Sequence, residues 1–233
     1  METRKQLVIA SILVLAAMLA ASAWVWFGVF DPNLLLHSGT VGRTDLAVTK
    51  AFNLLFAPMI IVIGSIIWAV IPTVEPRRRN LNRSPKYYAS SWAAFLIVIS
   101  AMHAYVVLTA FNKVPQSSAL PALVFAIAMV IQGNYMSKSR STFFVGIRTA
   151  WTLSSELSWT KTHRLGGRIY MGLGALVILL AFVAPKLAFG TFAFGIAASI
   201  VILLPYSYFV WRGDPDKQTG AMPGNGRQKS IWR

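Results

Sequence analysis

Apolar residues gather into six long runs, at residues 7–30, 51–74, 87–112, 114–137, 169–185 and 187–211, and no Asp, Glu, Lys or Arg interrupts any of them. A membrane-spanning helix needs about 20 apolar residues. Each run therefore holds one helix and none holds two. The fifth is the shortest, and Lys186 at its end can snorkel to the interface and extend it. The pattern predicts an all-α fold, a bundle of six transmembrane helices. The first run begins like a signal peptide, with Arg4-Lys5, an apolar core and then Ala21-Ser22-Ala23. It continues through Trp24-Val25-Trp26-Phe27 to Phe30, long enough to span, which predicts a retained helix. The pairs Ala16–Ala20 and Ala17–Ala21 have the spacing of a close helix contact.

One polar stretch, residues 134–167, breaks this pattern with many different functional groups. It holds Lys138, Arg140, Arg148, Glu156, Lys161 and Arg164. At ~3 kcal/mol per charge near the bilayer centre, these would cost roughly 18 kcal/mol, so the stretch lies in water or at the interface. Thr149 suits a helix N-cap. Ala150 onward favours a helix of about four turns, and Gly166-Gly167 would end it. The expectation is an interfacial cytoplasmic helix between the fourth and fifth spans. Within it Thr152, Glu156, Trp159 and His163 would share one face, and Ser155, Ser158 and Thr162 a neighbouring polar strip. Leu153, Leu157 and the Trp rings would dip into the headgroup boundary.

Composition agrees with a polytopic membrane protein: 12% of residues are charged, against about 25% in soluble domains. Of the 22 Lys and Arg, only Arg43, Lys50, Lys113 and Lys186 fall on one face of the predicted topology. That bias places both termini in the cytoplasm. The net charge of +15 is then a topology signal and an attraction to membrane lipid, not a nucleic-acid footprint, since no basic folded domain exists to carry one. The inner loop after the second run, with Arg77, Arg78, Arg79, Arg83 and Lys86 between prolines, reads as a solvated turn pinned to anionic lipid, or as a partner-docking patch. The chain divides into a first three-helix half (1–115), a second (116–212) and a tail (213–233) whose composition predicts disorder.

With no cysteine, disulfides and thiol chemistry are excluded. The histidines His37, His103 and His163 fall at different sides or depths, without helical metal-ligand spacing, so no metal or other cofactor is predicted. Glu156 can pair with Arg148, Lys161 or Arg164 as a clamp between spans, and the same residues also fit a ligand site. Ser154, Ser155, Glu156 and His163 could form a nucleophile and base on paper, but spacing supplies no geometry for it, and no enzyme is expected. His103, mid-span beside Ser100, reads as a residue hydrogen-bonded to a neighbouring helix, with proton sensing as the alternative. A small proton-coupled transporter or channel is the rival function. The spans lack a central acid and show no inverted repeat.

The string Gly146-Ile147-Arg148-Thr149, then Trp151-Thr152-Leu153-Ser154-Ser155-Glu156, Trp159, Thr162-His163-Arg164 and Gly166 resembles the signature of the SdpI family of bacterial membrane proteins. Gly133-Asn134-Tyr135-Met136 ahead of it also matches. Ala150 stands where the family usually has proline, which keeps the helix start and loses some rigidity. The first half resembles a domain of unknown function often found before the SdpI region. It keeps His37, Gly42, Asp45 and Lys50 at the family spacing, while Ser38 and Gly39 depart from it and the proline two residues before His37 is absent. The resemblance implies immunity against a secreted antimicrobial peptide toxin, and in the founding system signalling by holding a small repressor at the membrane. It implies toxin capture by His37, Asp45 and Lys50, and conformational or signalling roles for Arg148, Glu156, Trp159, His163 and Arg164.

Overall fold

A computed structural model describes residues 2–28, 46–111, 113 and 119–217, with side chains from residue 51 onward in the second segment. His37, Gly42 and Asp45, and the side chain of Lys50, lie outside the described residues.

The described regular elements are all helices: α1 (Glu2–Gly28), α2 (Leu46–Val74), α3 (Arg78–Arg83), α4 (Pro85–Ala110), α5 (Leu120–Met136), α6 (Ala150–Ser154), α7 (Glu156–Val183) and α8 (Pro185–Arg212). The helices α1, α2, α4, α7 and α8 are long and apolar enough to cross a bilayer. With 17 residues, α5 spans about 25 Å, at the short end of the crossing range. Proline sets several boundaries. Pro85, Pro121 and Pro185 occupy the first turns of α4, α5 and α8, where a missing N–H is harmless. Ala184 alone joins α7 to α8, with φ −143° and ψ 68°, because the residue before a proline is pushed out of the helical region.

Large apolar side chains cover the outside: Phe27 is 81% exposed, Phe194 76% and Phe182 75%. Only lipid makes such a surface stable. This is a multi-pass membrane protein.

Helices α1, α2 and α4 pack as one group, α5, α7 and α8 as another, and α4 against α5 forms the seam. Val25, Leu54 and Ala110 meet at one end of the first group. Ala122, Val177 and Ala188 meet at the corresponding end of the second. The start of α1 and the end of α8 therefore lie together at the opposite end.

His103 is buried in the first group. Its Nε2 lies 3.2 Å from both the Ser22 hydroxyl and the Met18 carbonyl, and Ser22 donates to the Leu54 carbonyl at 2.9 Å. The expected bond from His103 to a neighbouring helix is present, and it ties α4 to α1.

Two packing expectations are corrected. Ala16, Ala17 and Ala20 are exposed, and α1 instead buries Ser11, Met18, Ser22 and Val25. That face carries the Ser22 hydroxyl to the Leu54 carbonyl and to His103, contacts that an alanine cannot make. The close contact lies between α5 and α7. A Cβ on Gly133 would stand 2.6 Å from the Gly167 carbonyl oxygen, and one on Gly174 would stand 2.7 Å from that of Ala126. The predicted interfacial helix also differs in its limits. It breaks at Ser155, and Gly166-Gly167 lie inside α7, where their small size lets backbones touch.

Candidate functional site

Residues 137–149 form a strap across the end of the bundle where α2 and α5 finish and α4 and α7 begin. Its Ser139, Ser141, Thr142 and Val145 are buried. A buried irregular segment needs partners for its backbone polar groups, and side chains of both halves supply them.

Glu75, directly after α2, is the main anchor from the first half. It is 4% exposed. One carboxylate oxygen accepts the N–H of Phe143 at 2.8 Å and of Arg77 at 3.0 Å, and the other accepts the N–H of Phe144 at 3.0 Å. Bonds to an ionised acceptor are the stronger kind. The Arg77 guanidinium donates to the Ser141 hydroxyl and the Leu153 carbonyl. Asn80 donates to the Ser141 carbonyl at 2.9 Å, and the Ser84 hydroxyl accepts the N–H of Arg140 at 2.9 Å.

The second half grips the strap from the other side. The Trp159 indole donates to the Ser139 carbonyl at 3.2 Å. His163 Nε2 accepts the N–H of Ile147 at 2.9 Å while Nδ1 lies 2.9 Å from the Trp159 carbonyl. These bonds fix the tautomer: Nδ1 carries the proton and Nε2 is the acceptor. The two rings stack with centroids 3.8 Å apart. Gly146, at φ +121°, lets the strap pass over them. A Cβ there would lie 2.5 Å from His163 Nε2.

Thr149 caps α6 as expected, and the cap is reciprocal. Its hydroxyl accepts the Thr152 N–H at 3.0 Å, while the Thr152 hydroxyl accepts the Thr149 N–H at 2.9 Å. Thr152 also donates to the Ile147 carbonyl at 2.9 Å. Ser155 is extended, accepts the Ser158 N–H at 2.9 Å and donates to the buried Asp214 carboxylate. Ser158 donates to the Ser207 carbonyl at 2.8 Å, and Trp151 meets Tyr208 edge-on.

Thr152, Trp159, Thr162, His163 and Gly166 are thus gathered in the interior, with Thr149, Trp151 and Gly146 partly buried beside them. Asn134, Arg148, Glu156 and Arg164 are exposed, and Tyr135 is partly so. Glu156 is exposed, unlike Trp159 and His163, because the break at Ser155 makes it the first residue of α7, at the open end of the helix. It forms no ion pair with Arg148, Lys161 or Arg164 and borders a cavity of about 470 Å³ shared with Arg77, Asn80 and Asp214. Arg148 instead reaches the Phe143 carbonyl at 3.3 Å.

Sequence reasoning missed Glu75, Arg77, Asn80, Ser84 and Asp214. The loop after α2 reads as solvated turn, and Asp214 as the start of a disordered tail. The available signal was scarcity: the chain has only seven acidic residues, and Glu75 sits at the edge of an apolar run.

The arrangement holds and positions, and it does not pair His163 with Ser154 or Ser155. Ser155 faces Asp214, and both nitrogens of His163 bond backbone groups. Among the described residues no three His, Cys, Asp or Glu side chains cluster as metal ligands.

Residues 138–210, from the strap through nearly all of α8, match the model of the SdpI/YfhL protein family. This segment of the chain is similar to the SdpI family. It is 22% identical over 135 residues to the immunity protein SdpI of Bacillus subtilis (strain 168), an alignment covering 58% of this chain and 63% of that relative. The match thus spans less than two thirds of the relative's length. No solved structure is significantly similar. The SdpI segment contains Thr149, Thr152, Trp159 and His163, whereas Glu75, Arg77, Asn80 and Ser84 lie before it.

Proposed function

We propose that this protein is a membrane immunity protein that protects its own cell against a secreted antimicrobial peptide, acting by binding and not by catalysis. The supporting observation is the clasp: side chains of the first half and of the SdpI segment hold one strap from opposite sides. A peptide that disturbs either helix group at the other end of the bundle changes how the groups meet at the clasp. The outer residues His37, Asp45 and Lys50 are assigned to capture of the peptide. The exposed Arg148, Glu156 and Arg164 beside the clasp form the surface offered to a small repressor. In this reading the clasp and both termini face the cytoplasm, in keeping with the distribution of Lys and Arg.

The test is survival of a toxin-sensitive host challenged with the secreted peptides of the source bacterium. Cells carrying the full chain should survive, and cells carrying Glu75→Gln should lose most protection at equal membrane levels. Equal killing of cells with the wild-type chain and with empty vector would remove the immunity reading. Unchanged protection by Glu156→Ala would remove that residue from the mechanism.

A further inference from the structure

The clasp does not account for a second cluster at the same end of the bundle. Where α3 hands over to α4, and α5 ends beside it, a cavity of about 520 Å³ is lined by Arg83, Lys86 and Lys138 together with Tyr87, Asn134 and Tyr135. Among the described residues no carboxylate lines it. Arg83, Lys86 and Lys138 are exposed and form no ion pair among the described residues. Of the acids at this end, Glu75 is engaged by the strap backbone and Asp214 by Ser155, and Glu2, Glu156 and Asp216 do not line the cavity. Three cations around one concavity without a counter-charge repel one another, and an anion relieves that repulsion.

The level of the cavity selects the kind of anion. Lys86 and Tyr87 belong to the first turn of α4, and Asn134 and Tyr135 to the last turn of α5. Both are apolar helices of the bundle, so the cavity opens where the hydrocarbon ends and phosphates begin. Basic pockets between transmembrane helices at this level hold phospholipid headgroups. The volume is within the range that encloses a small ligand. We propose that this cavity is a binding site for a phosphate-bearing anion, the headgroup of an anionic phospholipid. Arg83, Lys86 and Lys138 neutralise the phosphate, and Asn134 and the tyrosine hydroxyls bond its oxygens or the glycerol. Since α4 and α5 come from different helix groups, the bound headgroup bridges their seam.

The experiment uses the full chain extracted from vesicles of phosphatidylcholine with phosphatidylglycerol, with retained lipid counted by native mass spectrometry. The wild type should keep phosphatidylglycerol in preference to phosphatidylcholine. Arg83→Gln/Lys86→Gln/Lys138→Gln should lower that preference roughly tenfold or more. All three side chains are exposed and, among the described residues, unpaired, so this variant should keep wild-type helicity and size. The charge-matched Arg78→Gln/Arg79→Gln/Lys161→Gln variant, whose residues do not line the cavity, should retain the preference. Inorganic phosphate is then titrated into lipid-free, detergent-solubilised protein and followed by phosphorus NMR. Lipid preference without phosphate broadening assigns the site to the headgroup, and broadening lost in the cavity variant without lipid preference assigns it to free phosphate. Equal lipid retention by wild type and cavity variant with no phosphate effect overturns the site, as does equal loss in the charge-matched variant.

Discussion

Glu75 and Phe143 lie 68 residues apart in the chain, and the carboxylate of the first accepts the backbone N–H of the second at 2.8 Å. This bond and its neighbour to Phe144 carry the end of α2 onto the strap of the SdpI segment. Glu75→Gln keeps the shape but replaces one acceptor oxygen with an amide nitrogen. The strap should lose roughly 2–3 kcal/mol of local stability, since bonds to a charged acceptor are worth that much. Hydrogen exchange at Phe143 and Phe144 should accelerate while exchange in α7 stays slow. Unchanged exchange at both amides would deny Glu75 its anchoring role.

Gly146 is held at φ +121° above the Trp159 and His163 rings. Gly146→Ala brings a methyl group into a backbone region that side chains avoid and against His163 Nε2. It should destabilise the fold by roughly 1–3 kcal/mol, read as a lower midpoint of thermal unfolding in detergent. A midpoint equal to wild type would refute the crossing geometry.

His163→Phe separates ring stacking from hydrogen bonding. The phenyl ring can still stack on Trp159, but the Ile147 N–H loses its acceptor, at a cost of about 1–3 kcal/mol for a buried orphan donor. Faster exchange at Ile147 is expected. In the wild type, nitrogen NMR should find the proton on Nδ1 and a bare Nε2. A proton on Nε2 would contradict the bond to Ile147.

Gly167 and Gly172 lie on the same helix in different surroundings. A Cβ on Gly167 meets the Gly133 carbonyl oxygen at 2.6 Å, whereas one on Gly172 meets nothing within 4 Å. Gly167→Ala should push α5 from α7 and lower stability by about 1–3 kcal/mol. Gly172→Ala should be neutral or raise it by up to about 1 kcal/mol through helix propensity. Equal midpoints for the two variants would show that the close approach carries no energetic weight.

The chain has no cysteine, so single introduced thiols report topology directly. Asp216→Cys lies beyond α8 at the clasp end, and Lys113→Cys just beyond α4 at the other. An impermeant thiol reagent should label position 113 in intact cells and position 216 only after lysis. The reverse pattern would invert the assignment of faces.

The helices were legible because lipid imposes one simple rule, charge-free apolar length, and each of the six runs holds one helix. Thr149 was legible as a cap because capping is local chemistry within a few residues. The buried face of the site was less so. Thr152, Trp159 and His163 turn inward together, yet Glu156 stays exposed as the first residue of α7, which starts there because Ser155 leaves the helix and donates to Asp214. Nothing local announces that break, since its partner is 59 residues away.

The sequence by itself determined where the apolar helices fall, the excess of cations in the loops predicted for one face and the residues of the polar stretch. Each follows from transfer between water and lipid or from neighbours in the chain. The tertiary structure alone decided that Glu75, Arg77 and Asn80 meet the strap and that Gly133 and Gly167 are contact points. It also decided that Asp214 is buried. These depend on which helix ends come together, and hydrogen bonds or close contacts between residues tens of positions apart leave no periodic mark on the chain.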